Sequence, residues 1–150
     1  MRFGSYAEPS EVYFSDVDTS HRRAVQKLTG AKLLDGYEDG TFRGKNSIKR
    51  AELCKVLSLA LGLNTATPAA GKYSDVTASQ YIGALTEAGY LKGDTDGRFR
   101  PEDNITRAEL AALLNRVAEI EESDGVTIAD TPKGHWAYGM ICAAVRKADA

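Results

Sequence analysis

Apolar residues recur with helical spacing in several segments of the chain. One stripe runs from Leu110 to Val117 in the order i, i+3, i+4, i+7, and a similar stripe runs from Leu53 to Leu61. Shorter apolar stripes surround Val25 and Ile82, and a third stripe runs from Trp136 to Val145. Spacing of this kind predicts amphipathic helices that bury one face. The pattern therefore favours a mainly α-helical protein in which two kinds of helix alternate.

The chain contains an internal repeat. Residues 34–53 align without a gap with residues 91–110, so that Gly36 matches Gly93 at a constant offset of 57. The tetrapeptide FSDV, starting at Phe14, matches YSDV, and IADT begins a third unit that lacks the second half of the repeat. Repeats of this length indicate an array whose units cannot each bury their own apolar face.

The repeat predicts the organisation of the chain, with all units forming one module. Its parts are a flexible lead-in at 1–13, repeat one at 14–63, a linker at 64–72, repeat two at 73–120, a linker at 121–127 and a partial repeat three at 128–150.

Glycines and aspartates mark a turn between the two helices of a repeat. Such residues suit turns because glycine adopts positive φ and aspartate bonds the local backbone. The predicted turn glycines are Gly36, Gly40, Gly93 and Gly97. The second turn superficially looks like a calcium loop, but counting from Asp94 puts Arg98 at position 5 and Ile105 at position 12. Calcium needs oxygen ligands at both positions, so the turn interpretation is preferred and no metal is expected.

Two other pairs of residues recur around this turn. We interpret Phe42 and Phe99 as core residues on short extended segments rather than as ligand-stacking groups. We interpret Asp16 and Asp75 as caps of the first helix of each repeat rather than as ligand contacts.

The second helix of repeat two begins with a capping box. Thr106 and Glu109 have the spacing at which each side chain bonds the backbone N–H of the other. Repeat one keeps Glu52 but has Lys49 at the capping position, which predicts a start weaker by about 1 kcal/mol unless Ser47 substitutes. Both glutamates are thus first of all structural.

Composition narrows the classes of function. A net charge of −2 gives no general attraction to nucleic acid or anionic membranes. The sequence has no run of 18 apolar residues, so no membrane insertion is expected, and its first residues do not show a secretory signal pattern. Cys54 and Cys142 lie among apolar residues, and we read them as small buried hydrophobes rather than as a bridge or reactive thiols.

An enzyme is the weakest interpretation. The two histidines, His21 and His135, fall at predicted starts of first helices, where capping or exposure explains them. Nucleophile-elbow, zinc-protease and phosphate-loop motifs are absent. We therefore expect no catalytic residue and no cofactor.

The repeated motifs resemble the S-layer homology (SLH) domain. The resemblance rests on FSDV, the turn sequence GYEDGTFR, the segment ITRAEL in repeat two and GHWAY at Gly134 to Tyr138 in the third unit. It covers nearly all of the chain outside the linkers. It implies tandem helix–loop–helix repeats packed as a pseudo-threefold helical bundle or prism, here with the third repeat truncated.

The resemblance also implies a function. SLH domains are non-enzymatic modules that anchor bacterial surface proteins by binding a secondary cell-wall polysaccharide linked to peptidoglycan, commonly one carrying pyruvate ketals. A bacterial cell-surface or cell-wall location is therefore expected.

The sugar carboxylate would bind in grooves between repeats, mainly through the arginine of T-R-A-E. That role falls to Arg107, and to Arg50 where K-R-A-E replaces the motif, with Trp136 flanking a groove. Arg43 and Arg100 would add positive charge to the same face or only cover it. A bidentate guanidinium suits a carboxylate; pairing with a neighbouring glutamate is the alternative for Arg50 and Arg107.

The truncated third repeat leaves a second function open. Its apolar residues Met140, Ile141 and Val145 would drive homodimerisation if nothing else covers them. Together with His21-Arg22, where the family often has His-Trp, this truncation makes a structural or protein-interaction module without glycan binding the alternative.

Overall fold

The structure is a computed structural model that describes residues 12–65, 69, 71–77, 79–119, 121, 124, 126 and 128–148. Within these residues the chain forms five α-helices and no β-strand beyond one isolated bridge. The helices are α1 (Thr19–Gly30), α2 (Arg50–Ala60), α3 (Gln80–Glu87), α4 (Arg107–Val117) and α5 (Tyr138–Ala148). The predicted mainly helical fold is confirmed. No described helix has the length and apolar character needed to cross a membrane.

Local side-chain bonds start the helices where the sequence changes from turn to stripe. Asp18 caps α1 by accepting from the His21 N–H at 3.1 Å, and Ser79 caps α3. The predicted capping box of α4 is confirmed, because the Glu109 N–H donates to Thr106 Oγ1 and the Thr106 N–H donates to Glu109.

The interpretation of Asp16 and Asp75 as helix caps is wrong. Asp75 accepts the backbone N–H groups of Phe99 and Arg100 at 2.8 and 2.7 Å. Asp16 does the same for the equivalent residues of repeat one, 42 and 43, at 2.7 Å each. Each aspartate therefore ties the start of its repeat to the segment beyond the turn, and we call residues 42–43 and 99–100 the F-R segments.

The four turn glycines serve two different purposes. Gly40 and Gly97 have φ of +78°, the left-handed conformation predicted for them. Gly36 and Gly93 instead allow a close approach, because a Cβ on either would collide with the ring of Phe14 or Tyr73. The rings that fill this space stack on the phenylalanines of the F-R segments, with centroid distances of 5.6 Å for Phe14–Phe42 and 5.4 Å for Tyr73–Phe99.

The phenylalanines of the F-R segments differ in burial. Phe99 is 1% exposed and belongs to the main core with Cys54, Ile82 and Leu85, as predicted. Phe42 is only half-buried. The core therefore centres on the contact between repeat one and repeat two.

Neighbouring repeats pack through unlike helices. The second helix of one repeat contacts the first helix of the next, so that α2 packs on α3 and α4 packs on α5. One buried polar side chain marks each contact. Ser58 Oγ donates to the Tyr81 carbonyl at 3.0 Å, and Asn115 Nδ2 donates to the Met140 carbonyl at 2.6 Å. Ser58 and Asn115 are equivalent positions, so the same contact is built twice with different side chains.

The weak start of α2 is compensated by repeat two. Lys49 makes no side-chain cap, and the Glu52 carboxylate accepts the Lys49 N–H at 2.9 Å. The next two N–H groups, of Arg50 and Ala51, donate to the carbonyls of residues 103 and 101. Because free N–H groups at a helix start need acceptors, the loop of repeat two, and not Ser47, compensates for the missing cap.

Two predicted apolar positions behave differently from expectation. Leu114, placed in the stripe of α4, is 43% exposed, whereas Leu113 and Val117 are buried. Trp136 precedes α5 instead of lying on its apolar face. The lead-in at 1–11 and parts of both linkers lie outside the described residues, so the predictions for them stand as predictions.

We predict that Gly93→Ala lowers the free energy of unfolding by about 2 kcal/mol, because the new methyl group meets the Tyr73 ring inside a packed core. Urea unfolding followed by circular dichroism measures the change. Gly134→Ala is the matched control, since an added Cβ there meets no atom within 4 Å. An equal effect of the two substitutions would contradict the close-packing role of Gly93.

Candidate functional site

A cleft of about 530 Å³ opens where the repeats meet. The start of α2 forms one wall, the turn and F-R segment of repeat two form the floor, and α4 forms the opposite wall. Trp136, which precedes α5, completes the rim and is 59% exposed. All three units thus contribute to one cleft, and an exposed indole beside charged groups suits a ligand with both apolar and polar faces.

Arg50 is fixed in the cleft wall by three contacts. Its Nη1 donates to Glu109 Oε1 at 2.6 Å, and its Nε donates to the Phe99 carbonyl at 2.8 Å. The guanidinium also lies 4.7 Å from the centroid of the Phe99 ring. Only 11% of the Arg50 side chain is exposed, so this ion pair is far less screened than a surface pair. Arg50 therefore joins α2 to α4 and to the F-R segment.

Arg100 reaches the cleft from a strained backbone. Its φ is +57°, a left-handed conformation that costs a non-glycine residue about 1–2 kcal/mol. The hydrogen bonds that the Phe99 and Arg100 N–H groups donate to Asp75 hold the segment in this conformation. The Arg100 side chain lies between two carboxylates, 3.1 Å from Asp94 Oδ2 and 3.6 Å from Asp96 Oδ2. The two aspartates that resemble calcium ligands in the sequence are thus engaged by an arginine.

The F-R segments hold their aspartates ionised. Backbone N–H donors, first that of Phe99 and then that of Arg100, hold the pKa of Asp75 below its usual range. Donation by Phe42, together with Arg43, lowers the pKa of Asp16 in the same way. We call the hydrogen bonds from each F-R segment to its aspartate, Asp16 or Asp75, the aspartate clamp. The clamp that sets the position of Arg100 therefore depends on a charged carboxylate.

Cys54 lines the cleft, but its thiol is unreactive. It is 1% exposed and unbridged, and burial raises the pKa of its thiol to about 12. The thiolate is the reactive form of cysteine, so this residue acts as a small apolar wall. Cys142 is also buried and unbridged, as the sequence predicts for both.

The structure brings together some of the predicted ligand residues and separates others. Arg50, Arg100 and Trp136 line the cleft. Arg107 is the exposed first residue of α4 and does not line it. Arg43 belongs to repeat one, where its guanidinium lies 3.9 Å from the Tyr37 ring centroid and pairs with Asp39 at 2.9 Å.

Sequence reasoning did not identify two cationic residues of the cleft, Arg116 and Lys92. Neither belongs to a repeated motif, because repeat one has Leu59 and Asp35 at the equivalent positions. A comparison of the two repeats shows this difference, but only the fold shows that the two positions border one cavity.

Comparison with known families gives a direct match. The S-layer homology domain matches residues 13–54 and 72–111 of the chain. These two segments contain the paired turns, the F-R segments and the R-A-E-L helix starts. The predicted resemblance and the tandem arrangement of repeats are confirmed.

Several named proteins are similar over most of the chain. A cellulosome-anchoring protein of Acetivibrio thermocellus is 35% identical over 94% of this chain, which spans 34% of that protein. An S-layer protein of Bacillus licheniformis is 33% identical over 82% of this chain and 15% of its own length. An amylopullulanase of Thermoanaerobacterium thermosulfurigenes is 26% identical over 89% of this chain and 8% of its own. The chain thus spans about a third or less of the length of each of these relatives.

We predict that Asp75→Asn destabilises the protein at pH 7 and that this difference disappears in acid. The pKa of Asp75 is lower in the folded than in the unfolded protein. Its carboxylate therefore adds to the free energy of unfolding above the unfolded-state pKa, and this contribution is lost as the pH falls below about 4. Urea unfolding between pH 7 and pH 3 measures the difference from the unsubstituted protein. Asp103→Asn, at an exposed position, is the control, and a difference independent of pH would contradict the clamp.

Proposed function

Because the chain belongs to the S-layer homology domain family, we propose that it is a non-catalytic module that anchors a protein to the bacterial cell surface. Its ligand is an acidic secondary cell-wall polysaccharide, and the site is the cleft between the repeats. The names of its relatives, a cellulosome-anchoring protein and an S-layer protein, support an envelope location.

The observation that carries this proposal is the exposed Trp136 at the rim of a cleft that also contains four cationic residues. An indole face packs against the C–H face of a sugar ring, while its surroundings bond the hydroxyl groups. A pyruvate ketal adds a carboxylate that is ionised at neutral pH and that a guanidinium can grip with two hydrogen bonds. A pyruvylated glycan therefore suits both the aromatic rim and the cationic lining of the cleft.

The roles of the motif arginines follow from their positions. Arg50 and Arg100 belong to the cleft wall and floor, so they shape the site even where carboxylates already bind them. Arg107 lies at the start of α4, where the helix dipole also favours an anion, and it remains a predicted ligand residue although it lies outside this cleft. Arg43 of repeat one is likewise a predicted ligand residue that lies outside this cleft.

We predict that Trp136→Ala weakens binding to purified bacterial cell walls about tenfold, since it removes the exposed aromatic face of the cleft. Co-sedimentation with walls, before and after chemical removal of the pyruvyl groups, measures the change. Tyr13→Ala is the matched control, because Tyr13 is 61% exposed but does not line the cleft.

Each arm of this experiment tests a separate statement. Native walls that fail to bind the unsubstituted protein would contradict glycan anchoring. Equal binding to treated walls would contradict recognition of the pyruvyl group, and full binding by Trp136→Ala would move the site away from the cleft.

A second candidate function is self-assembly, and one observation favours it. Arg50 of repeat one pairs with Glu109 of repeat two, so the arginine of one R-A-E-L start binds the glutamate of the next. Arg107 and Glu52 are the corresponding groups left over, and neither forms an ion pair within the described residues. A second copy would pair them reciprocally. The apolar face of repeat three offers less surface for such assembly than the sequence predicts. Helix α5 packs on α4, and Met140, Ile141 and Val145 are half-buried.

We predict that, if this assembly forms, its mass in solution is twice the 16.2 kDa of one chain. Light scattering after size exclusion measures it. Arg107→Glu and Glu52→Arg should each yield a monomer through like-charge repulsion, and the double substitution should restore the dimer. A monomeric unsubstituted protein would exclude assembly, and failure of the double substitution would exclude this ion pair.

A further inference from the structure

The cations of the cleft are not equally available to a ligand. Arg50 is bound to Glu109, and Arg100 is bound to Asp94 and Asp96. An incoming carboxylate would have to compete with these internal carboxylates for either arginine. The cation that contacts an acidic ligand is therefore better sought elsewhere in the same cleft.

Arg50 would be especially costly to redirect. Its partner Glu109 also accepts the Thr106 N–H at 2.9 Å and so completes the cap of α4. Turning Arg50 toward a ligand would leave the Phe99 carbonyl and one oxygen of Glu109 without their donor in a partly buried place. Its geometry is that of a residue that positions the two walls.

Arg116 is in the opposite situation. It occupies the last turn of α4, it lines the cleft, and it is half-buried. Its Nη1 donates to the Tyr90 carbonyl at 3.3 Å, which anchors the guanidinium without neutralising it. Among the described residues no carboxylate is ion-paired with Arg116, and the same holds for Lys92 at the exposed edge of the cleft. A guanidinium has five N–H donors, so the one bond to Tyr90 leaves most of them for a ligand.

The two repeats differ at these positions. Leu59 replaces Arg116, and Asp35 replaces Lys92 and lies 3.6 Å from Lys55. Repeat one therefore presents an apolar group and a neutralised pair where repeat two presents two unneutralised cations. Of these two repeats, therefore, only repeat two offers an anion contact of this kind.

We propose that Arg116, assisted by Lys92, is the residue that binds the carboxylate of the acidic glycan, whereas Arg50 is a positioning residue. The inference rests on the proposed function, since it assigns a residue to the acidic group of the same ligand. It further assigns one such anion site to the pair of repeats, next to Trp136, on which the sugar ring packs.

A pair of synthetic probes separates the acidic group from the sugar. One probe is a methyl hexopyranoside with a 4,6-pyruvyl ketal, and the other is its 4,6-isopropylidene counterpart, in which a methyl group replaces the carboxylate. Trp136 is the only tryptophan of the chain, so its fluorescence and its indole N–H resonance report binding at the cleft. The ratio of the two dissociation constants measures recognition of the carboxylate alone.

We expect the unsubstituted protein to prefer the acidic probe about tenfold or more, as suits one charged hydrogen-bonded contact. Arg116→Gln should remove about tenfold of this preference and Lys92→Gln about threefold, with binding of the neutral probe unchanged in both. Arg23→Gln, on the exposed part of α1, is the matched control and should retain the full preference.

The role of Arg50 is tested with Arg50→Gln/Glu109→Gln, which removes both charges of the pair and keeps a glutamine able to cap α4. We expect this variant to keep the ratio of the two dissociation constants, even where a looser junction between α2 and α4 weakens the binding of both probes. Loss of the preference there would overturn the positioning role, and thermal unfolding monitored by circular dichroism confirms that the variant is folded.

The outcomes distinguish this inference from the proposed function. Binding of neither probe by the unsubstituted protein, together with no binding to walls, would overturn the function itself. A preference for the acidic probe that survives Arg116→Gln would overturn only the assignment of Arg116. An equal weakening of both probes by Arg116→Gln would also overturn it, because a structural role would act on the sugar and the carboxylate alike.

Discussion

The carboxylate of Glu109 is the interaction on which the junction of the repeats depends. One of its oxygens accepts the Thr106 N–H and so starts α4, and the other accepts Arg50 from the preceding repeat. Arg50 in turn holds the carbonyl of Phe99, the most buried residue of its F-R segment. The start of a helix, the contact between repeats and the floor of the cleft are therefore parts of one hydrogen-bonded network. The loss of one member of such a network weakens the bonds of the others.

The sequence predicts the framework well and the junction poorly. Helical stripes, the capping box of Thr106 and the left-handed Gly97 follow from local patterns, and the structure contains them. The clamp of Asp75 and the pairing of Arg50 with Glu109 join residues 24 and 59 positions apart. No periodicity of 3.6 residues encodes contacts at such distances, because they depend on how whole repeats stack. Local patterns consequently assign Asp75 to a nearby helix and do not indicate the buried environment of Arg50.

Pseudo-symmetry also conceals differences between the repeats. An alignment of the two repeats identifies positions that carry the same residue, such as Arg50 and Arg107. It does not identify positions that differ, such as Leu59 and Arg116. In the fold the matched positions maintain the repeated contacts, as Asp16 and Asp75 do with the F-R segments. The unmatched positions at the cleft are those that change its charge. In a repeat protein of this kind, residues that depart from the consensus are therefore informative about the ligand.

The aspartate clamp of the F-R segment acts only on main-chain atoms. Asp16 and Asp75 bind N–H groups that every residue except proline possesses, so the clamp on positions 43 and 100 does not itself use the arginine side chains. The clamp thus accepts other side chains at these two positions, with glycine and asparagine best suited to the left-handed conformation and β-branched residues least suited. Mutation can exchange that side chain during divergence without rebuilding the fold, so one scaffold is able to acquire new surface chemistry one residue at a time.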